Sequence, residues 1–274
     1  MTLRGLTGVF LRDLVRRRML WVIVLATLGV LAANYGIQRT MERAIGEGAS
    51  WDVATRRASA NLERLAEQVR DWLPVTIVLL AAMVAPESRR NGTTQFALSC
   101  GVRRGQVATA QFAALSVILG VVIAIVHVGF AIPGVTTGAM SAAEVAAAWV
   151  GLLVPLFALA AAVFCLSLTA TAIETYLVFL GVPFVARTIP NLVGGFPHWL
   201  PRPIVTAIEN FGLLFPEVDS LIPWPHLSYG KSSGLPHAEW HWPAAHLTVV
   251  IAFWLVAGLW RYRRHDFGSR AAVK

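Results

Sequence analysis

Five of the seven histidines, His198, His226, His237, His241 and His246, fall within or at the edge of the stretch 194–245. His237, Glu239 and His241 alternate there, a set of nitrogen and carboxylate donors that could ligate a metal ion and build a metal-dependent hydrolase. The spacing is loose and matches no standard site, so interfacial or hydrogen-bonding histidines are the favoured reading. His127 sits in an apolar run and reads as a packed side chain rather than a proton relay. The sequence holds no G-x-x-x-x-G-K-[ST] phosphate loop, no H-E-x-x-H and no G-x-S-x-G. The chain is therefore not expected to bind or split ATP by itself, and no catalytic residue, metal or cofactor is expected on it. Cys100 stands beside a basic loop and Cys165 inside an apolar block, so no disulfide framework is implied and both read as structural thiols.

Ionisable groups at membrane depth are expensive and are functional candidates for that reason. Arg187 lies far enough beyond Thr175 to sit about 18 Å up a helix crossing a hydrocarbon core about 30 Å thick. Pairing of Arg187 with an acid such as Glu209 would mark a candidate pathway; simple snorkelling of the guanidinium towards water is the slightly favoured alternative.

These groups need elements to hold them, and composition selects the kind. The 274 residues are 56% hydrophobic and 14% charged, against about 25% charged in an ordinary soluble domain. The apolar residues come in long blocks, which need lipid to face. Six spans are expected, at 19–37, 73–85, 107–132, 143–169, 176–193 and 247–260. The second is the weakest and is lengthened by 61–70, where Leu62, Leu65, Ala66 and Val69 share a helical face. The architecture is an all-α polytopic membrane protein forming one domain over 1–274. An amphipathic helix over 1–18, with Leu6, Val9, Phe10 and Leu14 on its apolar side, is expected in the headgroup layer. The stretch 38–71 carries both signs of charge and reads as solvated helix or, preferably, as a charged connector. Proline, tryptophan and glycine crowd 194–245 around an apolar run, which suggests short re-entrant or interfacial helices between the last two spans.

Basic residues cluster at Arg16–Arg18, Arg89 and Arg90, Arg103 and Arg104, and Arg261, Arg263 and Arg264. With six spans and both termini cytoplasmic, all of these face inwards, as basic side chains near span ends do. The +8 net charge thus belongs to topology rather than to nucleic-acid binding. A cleaved signal peptide over the first basic and apolar stretch is the competing reading; the amphipathic segment ahead of it argues for an anchor.

The inner loop 86–106 is the most specific feature. It runs Pro86-Glu87-Ser88-Arg89-Arg90-Asn91-Gly92-Thr93-Thr94-Gln95-Phe96-Ala97-Leu98-Ser99-Cys100-Gly101-Val102-Arg103-Arg104. The Gly-Thr pair is a helix start, at which threonine can cap free amides. A short surface helix gripped by another protein and a plain positive-inside linker fit these residues equally well.

At this loop the sequence resembles the permease subunits of ATP-binding-cassette (ABC) transporters of the type-2 exporter class. Those show a Glu after the second span, then Gly-Thr, then a Leu-rich turn ending in Ser/Thr-x-Pro-Val-Ser-Arg. Glu87, Gly92, Thr93, Leu98, Ser99, Val102 and Arg104 match, with Gly101 where the proline usually stands and Arg103 where the serine does. The amphipathic start, six spans, long outer segment and basic tail agree with the same family.

The resemblance implies a coupling helix that docks on a separate ATPase subunit, with Glu87, Gly92, Thr93, Leu98 and Arg104 as the docking element. It also implies a second permease copy or a related permease as partner, contact with membrane lipids, and ATP and magnesium held by the ATPase alone. A multi-pass location in a bacterial inner membrane is expected. The alternatives are the metal-dependent hydrolase already described and a membrane scaffold subunit without a pathway.

Overall fold

The computed structural model describes residues 2–16, 50–136, 141–182 and 241–264, with isolated positions between 21 and 43 and between 201 and 206. Among the described residues the regular structure is helical and contains no strand. Most of the expected first span, most of the fifth and most of 194–245 lie outside them.

Helix α1 covers Leu3–Val15, with the Thr2 side chain accepting from the Gly5 amide at 3.3 Å to cap its start. Leu6, Phe10 and Leu14 recur at helical spacing and are buried, chiefly because α1 packs along α4, described below. Val9, expected on the same apolar side, is 41% exposed instead, so the packed stripe is narrower than the sequence pattern suggested.

Helix α2 runs unbroken through Trp51–Arg90, with Pro74 and Pro86 inside it. The stretch from Trp51 to the expected second span is therefore helix, not an irregular connector. Each proline removes one helical N–H, a loss that membrane helices tolerate through neighbouring groups. Apart from those two sites, the Tyr176 hydroxyl donates to the Leu79 carbonyl at 3.2 Å, and the Ser167 hydroxyl reaches the Ala81 carbonyl at 3.4 Å. Both contacts tie α2 to later helices within two turns of Pro86.

A seven-residue helix α3, Thr93–Ser99, follows, and then α4, Arg104–Thr136. At 33 residues α4 is about 50 Å long. Leu115, Leu119 and Ile123 face the core with no more than 1% exposure, while Val117, Val121, Val128 and Ile132 stand about half exposed on its other side. A helix apolar on its buried and its outer face has no side made for water. Trp72–Arg90 and Arg104–Gly129 are each long and apolar enough to cross a membrane; Leu153–Ser167 and Ala172–Gly181 are shorter apolar stretches.

Helix α5, Ala142–Ser167, occupies the centre, packed against α2, α4 and α7. It gives way to a short helix α6, Ala172–Tyr176, which continues through a π-helical turn over Leu177–Gly181. The start of α6 is fixed four residues ahead of the expected 176. Thr171 and Glu174 form a reciprocal capping box, at 2.7 Å and 3.2 Å, that satisfies two otherwise unpaired amides. The last element, α7, spans His241–Arg264 and lies so close to α5 that Gly258 leaves no room for a side chain beside Cys165.

Candidate functional site

The turn joining α2 to α4 collects a dense set of specific contacts among the described residues. Asn91 ends α2, its amide bonded to the Glu87 carbonyl at 2.9 Å, and Gly92 reverses the chain with φ of +74°. That left-handed conformation suits glycine, which lacks the Cβ that would crowd the next carbonyl. Gly92 is also the residue from which α3 starts, with no side-chain cap. The expected threonine cap is thus corrected: Thr93 is the first helical residue, and the glycine backbone makes the turn.

Thr94 has a different task. Its hydroxyl lies 2.8 Å from the Ser88 hydroxyl, and the Gln111 amide donates to both, at 2.9 Å to Ser88 and 3.1 Å to Thr94. All three side chains are at most 3% exposed. Buried polar groups are tolerable when partnered, and here they partner one another across α2, α3 and α4.

The next residue of α2, Arg89, points elsewhere. Its guanidinium donates to the carbonyls of Ser167 at 3.2 Å, Leu168, and Ala170 at 2.8 Å. Ser167 is the last residue of α5, and Leu168 and Ala170 follow it in the link to the next helix, at the helix end where the macrodipole favours a cation. Arg89 is therefore the C-terminal cap of α5, supplied from another helix.

Beyond α3 the chain turns again at Gly101, with φ of +77°. The Gly101 amide reaches the Leu98 carbonyl at 3.0 Å and the Val102 amide the Ala97 carbonyl at 3.2 Å. Gln106 then accepts from the Arg103 amide at 3.1 Å as α4 begins. Proline, with φ held near −65°, cannot adopt the Gly101 conformation. The turn at this position therefore requires a residue other than proline.

Of the expected docking residues, Glu87 is part-buried and lies 3.8 Å from the largely exposed Arg90 guanidinium; Gly92 and Thr93 are part-buried at the turn. Leu98 packs inwards against the core, and Arg104 is exposed at the start of α4. The outward side of α3 is formed by Gln95, Phe96, Ser99 and Cys100, with Phe96 66% exposed. Phe96 lies two positions from Leu98, where a helix brings it to the opposite side, and no motif in the sequence singles it out. Sequence reading missed Ser88, Arg89, Thr94 and Gln111, for which no motif exists.

Arg187, Glu209, His198, His226, His237 and Glu239 lie outside the described residues, as do the side chains of His241 and His246. Among the described residues no group of three or more His, Cys, Asp or Glu side chains could hold a metal ion. His127 is buried with its ring 4.7 Å from that of Trp149, a packed arrangement.

Tyr262, near the end of α7, is buried, and burial pushes its phenol above the ordinary value of 10.0, against the opposing pull of Arg104 and Arg89. Below pH 10 both folded and unfolded chains hold the phenol neutral, so stability is complete there. As the pH climbs past that point the unfolded chain releases its proton first, and stability falls until the folded phenol ionises as well. Tyr262→Phe is expected to flatten this alkaline loss in a thermal-unfolding series; an unchanged slope would remove Tyr262 as its source.

No family model, curated protein or solved structure matches this chain.

Proposed function

We propose that the chain is the membrane-spanning permease subunit of an ATP-driven exporter of the type-2 ABC class, with α3 as the helix that receives a separate ATPase subunit. The supporting observation is the mounting of α3: a short helix fixed from below by buried hydrogen bonds, with Phe96 two-thirds exposed on its outward side. Exposed aromatic anchors surrounded by polar groups are what protein interfaces are built around. Arg90, Arg103 and Arg104 flank the anchor and are exposed, which suits a partner surface with an acidic rim.

In this reading closure of the ATPase dimer displaces α3, and the long helices tilt to open the pathway outwards. ATP and magnesium belong to the partner, and this chain contributes no catalytic residue. Six spans, both termini inside, a bacterial inner membrane, a second permease copy or related permease beside this one, and lipid around them complete the proposal. Nucleic acid has no part in it.

Phe96→Asp is expected to reduce copurification of the ATPase by about 30-fold, the loss of one interface anchor, while leaving thermal stability unchanged because the side chain is exposed. Retention of the ATPase by that variant would overturn the docking assignment. Sidedness has its own test in the native cysteines. Cys100 is exposed and Cys165 buried, so a membrane-impermeant maleimide should modify Cys100 in inside-out vesicles stripped of the ATPase and spare it in intact cells. Modification of Cys100 from the outside would place α3 on the wrong face and end the proposal.

A further inference from the structure

Two adjacent residues at the end of α2 make joints in different directions. Ser88 meets Thr94 of α3 and Gln111 of α4, and Arg89, about 100° further round the helix, holds the carbonyls of Ser167, Leu168 and Ala170 at the junction of α5 and α6. We propose that Gln111 and Arg89 are positioning residues that bind α3 and the adjoining ends of α2, α4, α5 and α6 into one rigid lever, so that displacement of α3 reaches every one of these helices. The inference rests on the reading of α3 as the ATPase-docking helix.

The physical need for such joints comes from the backbone. Gly92 and Gly101 bracket α3 in left-handed conformations, and glycine resists rotation least of all residues. Apolar packing of Ala97 and Leu98 is attractive but has no preferred direction, so by itself it would let α3 pivot or slide under load. Hydrogen bonds are directional. The Gln111 amide reaches two hydroxyls from two other helices, which fixes both the height and the rotation of α3. Arg89 carries the displacement onwards through a planar fork that lysine cannot reproduce. The Tyr176 hydroxyl on the Leu79 carbonyl then keeps α6 in step with α2.

Gln111→Leu removes both donor bonds, keeps much of the side-chain bulk and leaves Ser88 and Thr94 able to bond each other. The test uses the full chain in lipid nanodiscs with the ATPase subunit that copurifies with it, with spin labels at Cys100 and at Ile173→Cys, both exposed positions. In the otherwise native chain the distance distribution between these labels should be narrow and the same with and without trapped nucleotide. In Gln111→Leu it should broaden. ATP hydrolysis should stay within about two-fold of the native rate, while the nucleotide-driven change between labels at Trp72→Cys and Ile132→Cys, in a Cys100→Ser background, falls about five-fold. A distribution that stays narrow, a far-end change that persists, or hydrolysis that declines in step with the far-end change would each overturn the lever. Ser88→Ala combined with Thr94→Val dissolves the same joint from the other two helices and gives the same readings where Gln111→Leu does not accumulate. If no ATPase binds the native chain, the docking assignment fails by itself. The Cys100 to Ile173→Cys distance on the chain alone still decides the lever: broadening in the variants upholds it, and an unchanged width overturns it.

Discussion

Gly258→Ala is expected to destabilise the protein by about 3 kcal/mol, the upper end of what overpacking a close contact costs. A Cβ at this position would lie 2.7 Å from the Cys165 Cβ, 2.7 Å from its carbonyl oxygen and 2.8 Å from its carbonyl carbon. Two of these three atoms are backbone of α5, which cannot step aside as a side-chain tip can. Relief requires α7 to move off α5, and close approach at small residues is the main source of helix association where water supplies no driving force. Cys165→Gly should therefore fail to restore the variant, because the carbonyl contacts persist. Gly120→Ala in α4 is the matched control: nothing lies within 4 Å of the added methyl, and the substitution should be neutral or slightly stabilising. Thermal unfolding of the purified protein in detergent measures all three. Equal behaviour of the two alanine variants would show that α5 and α7 are not held at this distance.

Arg89→Leu should cost about 2–4 kcal/mol, since it strips a charged donor from three carbonyls and leaves the end of α5 without its cap. Arg89→Lys should recover only part of that. It restores the charge opposite the helix end, but an ammonium lacks the planar fork whose two nitrogens reach Ser167 and Ala170 separately. The decisive measurement is the ordering of stabilities, native above lysine above leucine. If lysine equals arginine, the fork geometry is irrelevant and charge alone acts.

The long apolar blocks made the helices readable. The sequence places a span within 107–132 and another within 143–169, and the helices found are Arg104–Thr136 and Ala142–Ser167. Periodicity also announced α1, whose buried residues Leu6, Phe10 and Leu14 sit one helical turn apart. Boundaries were harder. The capping box at Thr171 and Glu174 was written in the sequence as Thr-x-x-Glu, yet hydropathy points to Tyr176, because the first turn of α6 is too polar to look like a span.

At the candidate site the sequence shows the turn but not its inner construction. Gly92 and Gly101 signal reversals, and both have positive φ. Nothing in the chain order relates Ser88 to Gln111, or Arg89 to Ala170, since those encounters depend on which helices become neighbours. Leu98 and Phe96 show the same gap at short range. Both are apolar and two residues apart, and only the packing of α3 on its supports turns one inwards and the other out.

Seven residues make fewer than two turns, well short of the length at which a peptide keeps helical shape unaided in water. The conformation of α3 is thus a property of the bundle beneath it, and any event that loosens Thr94 from its seat should unwind the segment as well as free it. Amide-hydrogen exchange at Phe96 through Cys100 would then serve as a built-in gauge of attachment, slow while the segment is seated and fast once it lets go.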